Sequence, residues 1–254
     1  MFRNNYDNDS VTFSPQGRIF QVEYALEALK QGSVVVGLVS KTHAVLVALK
    51  RNAEELSSYQ KKIIGIDDHL GIAIAATSSR LQDDLGRPIP LERIVNQVGE
   101  RAQTNIQHYG KRPYGVGLLV AGVDDAGPHL FEFVPSGLTQ EMLACAIGGR
   151  SQMARTYLER HLEEFADSSR EELITHGLRA LKESVAQDKE LTIESTSIGV
   201  VGTVMEGPRK GRVDPFKLFD GPEIGPLLEA AQEGQQEWEE ATAEPAGEQM
   251  NADS

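Results

Sequence analysis

Apolar residues recur at helical spacing near the start of the chain and predict an amphipathic helix there. Ser14 is the expected N-cap and Pro15 the expected first helical residue, because serine caps helices and proline suits their first turn. Gly32 ends the pattern, as glycine commonly does after the last helical turn. The apolar positions of this helix are Ile19, Val22, Leu26 and Leu29, with Phe20 and Tyr24 beside them.

Short runs rich in Val, Ile and Ala follow the helix and predict β-strands. Their apolar character is nearly continuous, which is typical of strands that are buried on both faces. Turn residues separate the runs, so we expect each run to form its own strand. The four runs are SVVVGLVS (33–40), THAVLVAL (42–49), KKIIGID (61–67) and LGIAIAA (70–76).

The second half of the chain alternates between helical and extended patterns. Ser169 and Glu172 have the spacing of a capping box and open one of the predicted helices. This order of elements favours two sheets packed face to face with helices outside them. Helices are predicted at 90–110, 151–165 and from 169 onward, and strands at 114–124, 129–135, 141–148, 196–204 and 213–221.

Composition narrows the classes of protein to which the chain can belong. With 254 residues, 40% of them hydrophobic, it can bury a large core. The net charge of −13 argues against a nucleic-acid surface, and no apolar run approaches the roughly 20 residues of a membrane span. The N-terminus lacks the apolar region of a signal peptide, and the single cysteine, Cys145, fits a reducing compartment.

The usual catalytic and metal-binding motifs are missing from the sequence. Its six histidines have no zinc-site spacing, so we expect no metal and no cofactor, and we interpret His161 as a residue that caps or borders a helix core. GGRS at 148–151 precedes a helix but lacks the lysine and the spacing of phosphate-binding loops. A tight turn is therefore the better interpretation of GGRS.

Several longer motifs resemble the alpha subunits of the eukaryotic 20S proteasome. The longest is YDNDSVTFSPQGRIFQVEYALEALKQGS at 6–33, which is similar to the N-terminal signature of that family. RPYGVGLLVAG at 112–122 and ARTYLERHLEEF at 154–165 extend the resemblance through the chain. It implies an α+β fold, a four-layer αββα sandwich of the N-terminal-nucleophile hydrolase type, preceded by the alpha-subunit helix.

The resemblance also implies how the chain is divided and what it contacts. Residues 1–228 would form one proteasome alpha-type domain, in which 1–32 are the gate segment and its helix. Residues 229–254 carry eight acidic residues and no Lys or Arg, and we expect a disordered acidic tail that serves either solubility or docking. The expected partners are neighbouring alpha subunits in a heteroheptameric ring, beta-ring subunits, and the C-terminal tails of regulatory ATPases or other activators.

The same resemblance implies a function without catalysis. We expect a structural subunit that controls substrate entry and docks regulatory particles in ubiquitin-dependent protein degradation, in cytoplasm and nucleus, with no nucleic-acid or membrane partner. In catalytic beta subunits a free N-terminal threonine is the nucleophile. The corresponding position here is Ser33, with Lys50 at the acid position and Lys62 at the lysine position.

Three features of the sequence argue against catalysis when it is aligned with the catalytic beta subunits. Ser33 is not threonine, its amine is locked in a peptide bond, and Lys50 places a cation where an acid belongs. We therefore expect no catalytic residue. The alternative is an active N-terminal-nucleophile hydrolase that matures at Ser33, and the mass of the intact chain would reveal that cleavage.

Two groups of residues take functional roles by the resemblance. Tyr6, Asp7, Pro15 and Tyr24 match the gate, turn and helix residues that hold the open gate of the axial pore, and ring packing with hydrogen bonds suits such a two-state segment. Lys62 and Gly32 match a pocket between adjacent alpha subunits. A cation there suits capture of an activator's terminal carboxylate, and a glycine leaves room for the incoming tail.

Simpler interpretations of both groups stay open. Tyr24 could serve only to pack its helix while residues 1–10 fray, and Lys62 could be a surface charge beside Lys61.

The chain departs from the family pattern after LGIAIAA. The stretch TSSRLQDDLGRPIPLE at 77–92 stands where the family continues into a long helix. About twenty residues are missing, or about five helical turns. Three explanations fit: a splice form, an imperfect gene model, or a shift of the next helix over the gap.

This departure leads to a prediction about assembly. Because the missing helix normally packs on the sandwich and contacts the beta ring, its loss would leave apolar sheet surface uncovered. We expect this form, co-expressed with its ring partners, to be under-represented in purified particles when subunits are quantified by mass spectrometry. Incorporation in full proportion would contradict the prediction.

Overall fold

Two five-stranded antiparallel sheets packed face to face form the centre of the fold, and helices cover their outer faces. This arrangement, seen in a computed structural model, confirms the predicted four-layer αββα sandwich. The structure describes residues 6–50, 60–75, 90–185, 190–204 and 211–231. Most of the predicted acidic tail lies outside them. No helix within these ranges is long and apolar enough to cross a membrane.

The first sheet holds β1 (Val35–Val39), β2 (His43–Leu49), β8 (Ala144–Ile147), β9 (Thr196–Thr203) and β10 (Val213–Asp220). The second sheet holds β3 (Ile63–Asp67), β4 (Leu70–Ala75), β5 (Gly117–Asp124), β6 (Gly127–Phe133) and β7 (Thr139–Glu141). Their orders are β10-β9-β2-β1-β8 and β3-β4-β5-β6-β7. Val35 of β1 lies opposite both Ala48 and Ile147, so β1 is an interior strand of its sheet.

The helices form the two outer layers and one N-terminal addition. α3 and α5 pack on the first sheet, and α2 packs on the second. Ser169 caps α5 as predicted: its Oγ accepts from Glu172 N at 3.4 Å, while the Glu172 carboxylate accepts from Ser169 N at 2.7 Å. The α-helices with bounds inside the described residues are α1 (Phe20–Leu29), α2 (Leu91–Gln107), α3 (Ser151–Arg160), α4 (Leu162–Phe165) and α5 (Arg170–Ser184), and a short 3-10 helix follows at Gly221–Ile224.

The last residue of α1 belongs to the core between the sheets. Leu29 is 7% exposed and clusters with Val35 of β1 and Leu119 of β5. Gly117 makes room for it, since a Cβ there would come within 2.7 Å of Leu29 Cδ1. The C-terminal end of α1 is therefore anchored between the sheets, while Ala25 and Leu29 are the only buried residues of this helix.

The outer face of the second sheet is only partly covered by the described helices. α2 packs over this sheet through Leu91 and Val95, alongside Val120 of β5 and Phe131 of β6. On β3 and β4, Ile64 and Ile72 are only half-buried. The shortened segment predicted from the sequence falls mainly at 76–89, outside the described residues.

Several boundaries differ from the sequence predictions. α1 begins at Phe20 rather than Pro15, because Ser14 to Gly17 form a turn in which Gly17 N donates to Ser14 O at 2.9 Å. The helix predicted at 151–165 is interrupted at His161, whose φ of −109° separates α3 from α4. The run at 141–148 is divided between two strands, since Glu141 ends β7 and β8 begins at Ala144.

The prediction that all four early strands are buried on both faces was wrong for β3. From Gly65 onward this strand is exposed, because it is an edge strand paired with β4 alone. The sequence analysis also missed β7, a three-residue edge strand. Apolar content alone does not distinguish an edge strand from a central one.

Phe216 closes one end of the sandwich. Its ring lies against Gly71 of β4 and Gly199 of β9, where an added Cβ would come within 1.9 and 2.5 Å of the ring. β10 has an irregular register between Asp214 and Lys217, around Pro215. Phe216 thereby holds an edge strand of the first sheet against the second sheet.

Leu29→Ala should lower the free energy of unfolding of the full chain by about 2–4 kcal/mol, because it opens a cavity between the sheets. The matched control is Leu138→Ala. Leu138 is 59% exposed, so its loss should cost less than about 0.5 kcal/mol. Urea unfolding followed by circular dichroism measures both variants. Equal effects would show that α1 is not anchored in the core.

Candidate functional site

The position that corresponds to a catalytic nucleophile is buried. Ser33 is 3% exposed, and its Oγ has no hydrogen-bond partner among the residues that the structure describes. The preceding residue, Gly32, donates its N–H to Leu29 O at 3.0 Å. Ser33 therefore lies in a continuous chain that runs from α1 into β1, with its amine in a peptide bond.

The turn after β8 packs directly on this junction. Gly149 N donates to Gly32 O at 2.8 Å, and a Cβ on Gly148 would come within 2.5 Å of Ser33 O. Gly148 has a φ of +105°, and Arg150 adopts a left-handed conformation just before α3. GGRS is therefore a tight turn, as predicted, and its glycines allow two backbones to touch.

The position of the catalytic acid holds a structural ion pair. The Lys50 side chain is 7% exposed, and its amine contacts the Asp220 carboxylate at the end of β10. Ser197 Oγ donates to the same carboxylate at 3.1 Å. Lys50 thus joins the end of β2 to β9 and β10, and its charge is balanced within the fold.

Cys145 is not an activated nucleophile. It lies on β8 opposite Gly37 of β1 and is 3% exposed. Burial, aided by the nearby Glu132 carboxylate, raises the pKa of the Cys145 thiol to about 12. The thiol therefore stays protonated at neutral pH and behaves as a small apolar core residue.

Two of the four gate residues predicted from the sequence are joined in the structure. Tyr24 OH donates to Asp7 Oδ2 at 3.3 Å, and Gln21 Nε2 donates to Asp7 O at 2.6 Å. Partial desolvation and then the Asp7 carboxylate raise the pKa of the Tyr24 hydroxyl, so it remains a donor at neutral pH. Pro15 lies in the turn before α1, and Tyr6 is 41% exposed.

The segment before α1 is also fixed to the body of the protein. Ser10 is 2% exposed, and its Oγ contacts Asn105 O at 3.4 Å and Lys111 O at 3.3 Å near the end of α2. Asp9 Oδ1 accepts from Val11 N and Thr12 N and so stabilises a local turn. Ser10 thus ties residues 6–14 to a second element besides α1.

The two residues predicted for an activator pocket lie just before strands that belong to different sheets. Gly32 is buried and precedes β1, whereas Lys62 directly precedes β3. Lys62 is 2% exposed in the single chain, and its carbonyl accepts from Ile74 N at 2.9 Å. It is therefore not a surface charge of the isolated chain, and its predicted role in carboxylate capture stays a prediction.

Sequence reasoning missed two clusters that the fold assembles. Asp220, the partner of Lys50, lies 170 positions away, and no local spacing points to it. His161, Glu164 and His176 come together where α3, α4 and α5 meet. The spacing of three between His161 and Glu164 was a signal for the second cluster, but only the fold brings His176 to it.

A layered sandwich whose nucleophile position is closed by an N-terminal helix belongs to the N-terminal-nucleophile hydrolase fold class, in a form with an added extension. The family model described as "Proteasome subunit" matches residues 29–83 and 76–201. A second family model, which describes the N-terminal signature of A-type proteasome subunits, matches residues 6–28. The two longer matches overlap at 76–83, within the stretch where the sequence departs from the family pattern.

Curated relatives agree with these matches. The "Probable proteasome subunit alpha type-6" of Schizosaccharomyces pombe is 62% identical over 216 residues, covering 80% of this chain and 79% of the relative. "Proteasome subunit alpha type-6" of Saccharomyces cerevisiae is 50% identical over 244 residues, covering 90% and 100%. "Proteasome subunit alpha type-1" of Dictyostelium discoideum is 46% identical over 243 residues, covering 90% and 94%.

The chain therefore belongs to the proteasome subunit family and is an alpha-type subunit. The motifs in its sequence resemble the eukaryotic subunit at the sixth position of the alpha ring, which is also called alpha type-1. The relatives carry both type names, type-6 in the two yeasts and type-1 in Dictyostelium.

Asp220→Asn should lower the free energy of unfolding by about 2 kcal/mol, because it leaves the buried Lys50 charge without its carboxylate. The matched control is Asp167→Asn, which breaks an ion pair with Lys41 whose side chains are 69% and 79% exposed. That change should cost less than about 0.5 kcal/mol. Urea unfolding of the full chain compares them, and a neutral Asp220→Asn would contradict the structural role of Lys50.

Proposed function

We propose that the chain is a non-catalytic structural subunit of the 20S proteasome alpha ring, which controls substrate entry and docks regulatory particles in ubiquitin-dependent protein degradation. We place this function in the cytoplasm and the nucleus. The partners are the neighbouring alpha subunits, the beta-ring subunits and the C-terminal tails of activators. Membership of the alpha-type subunits is the starting point, and the contacts of the N-terminal segment supply the specific argument.

The main support for the proposal is that the N-terminal extension, residues 1–32, is anchored in the domain at its C-terminal end. Leu29 fills the core between the sheets, and the Gly32–Ser33 backbone packs on the turn at Gly148. Removing residues 1–32 would cost the core a buried leucine, so the extension behaves as part of the domain rather than as a disposable propeptide. This supports an alpha subunit that keeps its amine blocked and argues against maturation at Ser33.

The contacts of Asp7 support a gating role for the segment before α1. Asp7 is held by Tyr24 through its carboxylate and by Gln21 through its carbonyl. Tyr24 itself is 47% exposed, and its ring stacks on Phe20 at 6.3 Å between centroids. A segment held by a few exposed hydrogen bonds at one end and by buried Ser10 at the other can change arrangement at its tip without unfolding the domain.

Exposed apolar side chains on and near this segment suit contact with other subunits of the ring. Phe13 is 63% exposed and Tyr109 is 83% exposed, and Tyr6 and Tyr114 are 41% and 40% exposed. Aromatic residues are enriched at protein interfaces, because they bury large areas at a small entropic cost. Ser10 connects the two parts of this surface, since it contacts both Asn105 and Lys111.

Docking of activator tails requires a groove in which Lys62 and Gly32 can be reached by a partner. Lys62 is buried in the single chain, so its amine must become accessible in the groove between two subunits before it can pair with a terminal carboxylate. Gly32 lies at the tightly packed α1–β1 junction, where its carbonyl already accepts from Gly149. Binding of a tail near this junction would act directly on the end of α1 and hence on the gate segment.

Tyr24→Phe tests the gating role, because it removes the hydrogen bond to Asp7 and keeps the ring. In assembled particles, we expect activator-stimulated peptide hydrolysis to fall about twofold to fivefold, since the open arrangement loses one hydrogen bond to a carboxylate. Tyr109→Phe removes only the hydroxyl of a tyrosine that is 83% exposed and keeps the aromatic ring proposed for subunit contact, so it should leave the rate unchanged. Equal rates in the unaltered particle and in both variants would contradict the role of Tyr24.

A further inference from the structure

The junction of α3, α4 and α5 carries a cluster of potential metal ligands that the proposed function does not use. His161 lies between α3 and α4, Glu164 lies within α4, and His176 lies on α5. One ligand atom from each of the three side chains lies within 4.8 Å of the other two. The cluster is in the outer helical layer, on the side of the first sheet.

Two of the three ligand-to-ligand distances in this cluster are close to the spacing of ligands around one small ion, and the third is at most 4.8 Å. His161 Nδ1 lies 3.0 Å from Glu164 Oε1, and His176 Nε2 lies 3.5 Å from Glu164 Oε2. In a tetrahedral zinc site with metal–nitrogen and metal–oxygen bonds of about 2.0–2.1 Å, neighbouring ligand atoms are about 3.3 Å apart. Only small side-chain movements are needed to place an ion between the three groups.

The side chains around the cluster hold the imidazole rings in place. Tyr157 OH lies 3.0 Å from His176 Nδ1, so a proton on Nδ1 can be donated to Tyr157 and the Nε2 lone pair then faces Glu164. The His161 ring packs on Tyr157 at 4.4 Å between centroids, and Phe165 packs edge-on against His176 at 5.2 Å. Metal-binding histidines usually have their second ring nitrogen fixed by a hydrogen bond, as Tyr157 can fix Nδ1 of His176.

The cluster is open to solvent on the side of Glu164 and closed on the side of the two histidines. The His161 and His176 side chains are 16% and 12% exposed, whereas Glu164 is 55% exposed. An ion can therefore enter past Glu164, and a water molecule can complete its coordination on that side. Two imidazoles and one carboxylate are the ligand set of many three-residue zinc sites.

His129, outside the cluster, contacts two carboxylates but lacks the geometry of a metal site. His129 Nε2 faces Asp124 Oδ1 at 2.9 Å, while its Nδ1 faces Glu141 Oε1. Because the two nitrogens of one imidazole point in different directions, a single ion cannot bind both carboxylates and the ring. His129 is therefore a matched control for the effect of a carboxylate-paired histidine.

We propose that His161, Glu164 and His176 form a binding site for a divalent transition-metal ion, with zinc favoured by the ligand set. The ion would connect α3 and α4 to α5 and would brace the helix layer over the first sheet. No catalytic step is assigned to it. The sequence alone led us to expect no metal, because the third ligand joins the other two only in the folded chain.

The test uses the full chain purified without a histidine tag and stripped with a chelator. Zinc titration by calorimetry should show one equivalent bound per chain, and cobalt should give the visible absorption of a four-coordinate site that zinc then displaces. The thermal unfolding midpoint should rise with zinc. A chain that binds neither ion would overturn the proposal.

Matched variants assign the binding to the three residues. Glu164→Gln changes a half-exposed side chain and is expected to leave the fold intact, which circular dichroism checks, yet it should remove most of the zinc binding and the thermal shift. His176→Gln should do the same, while His129→Gln should bind zinc like the unaltered chain. Undiminished binding by Glu164→Gln and His176→Gln, or loss only in His129→Gln, would overturn the assignment.

Discussion

Close contact between two stretches of backbone at the α1–β1 junction is the constraint on which the structure depends. Gly32 and Ser33 lie so near Gly148 and Gly149 that a single methyl group on Gly148 would meet Ser33 O at 2.5 Å. Leu29, three residues before Gly32, occupies the space between the sheets. Because Leu29 and Gly32 belong to the N-terminal extension, removing the extension would take away both a buried core side chain and the backbone contact with Gly149.

This constraint bears on the two positions that the family resemblance aligns with a catalytic nucleophile and acid. Ser33, at the nucleophile position, is a buried residue in a continuous chain, and Lys50, at the acid position, is one half of the Lys50–Asp220 pair. Both residues lie next to the ends of strands in the first sheet, where each has a structural task. The fold also positions the segment before α1, through the hydrogen bonds of Asp7, Ser10 and Tyr24.

Much of the fold could be predicted from the sequence, because its central elements carry strong local signals. β1 and β2 are buried along nearly their whole length, as their apolar runs predicted, and Ser169 forms the predicted capping box. The failures have physical causes. A turn that Gly17 stabilises displaced the start of α1, and the edge position of β3 left Ile66 exposed within an otherwise apolar run. Local patterns carry no information about which neighbours a strand will have.

The candidate site was predictable only where family motifs are contiguous in the sequence. Tyr24 and Asp7 are 17 residues apart within one motif, and the structure joins them. Asp220 and His176 complete clusters from distant parts of the chain, so periodicity and spacing could not assign them. Lys62 shows the opposite case, since its motif predicts a binding role while the fold of the single chain buries it.

The irregular stretch of β10 around Pro215 has a consequence for solubility. A strand at the rim of a sheet offers a row of unpaired amides to any second chain that approaches it. Proline has no N–H to offer, and the break in register between Asp214 and Lys217 interrupts the row where Phe216 turns toward the glycines of the other sheet. The first sheet thus ends in a border that resists edge-to-edge aggregation before the chain meets its neighbours.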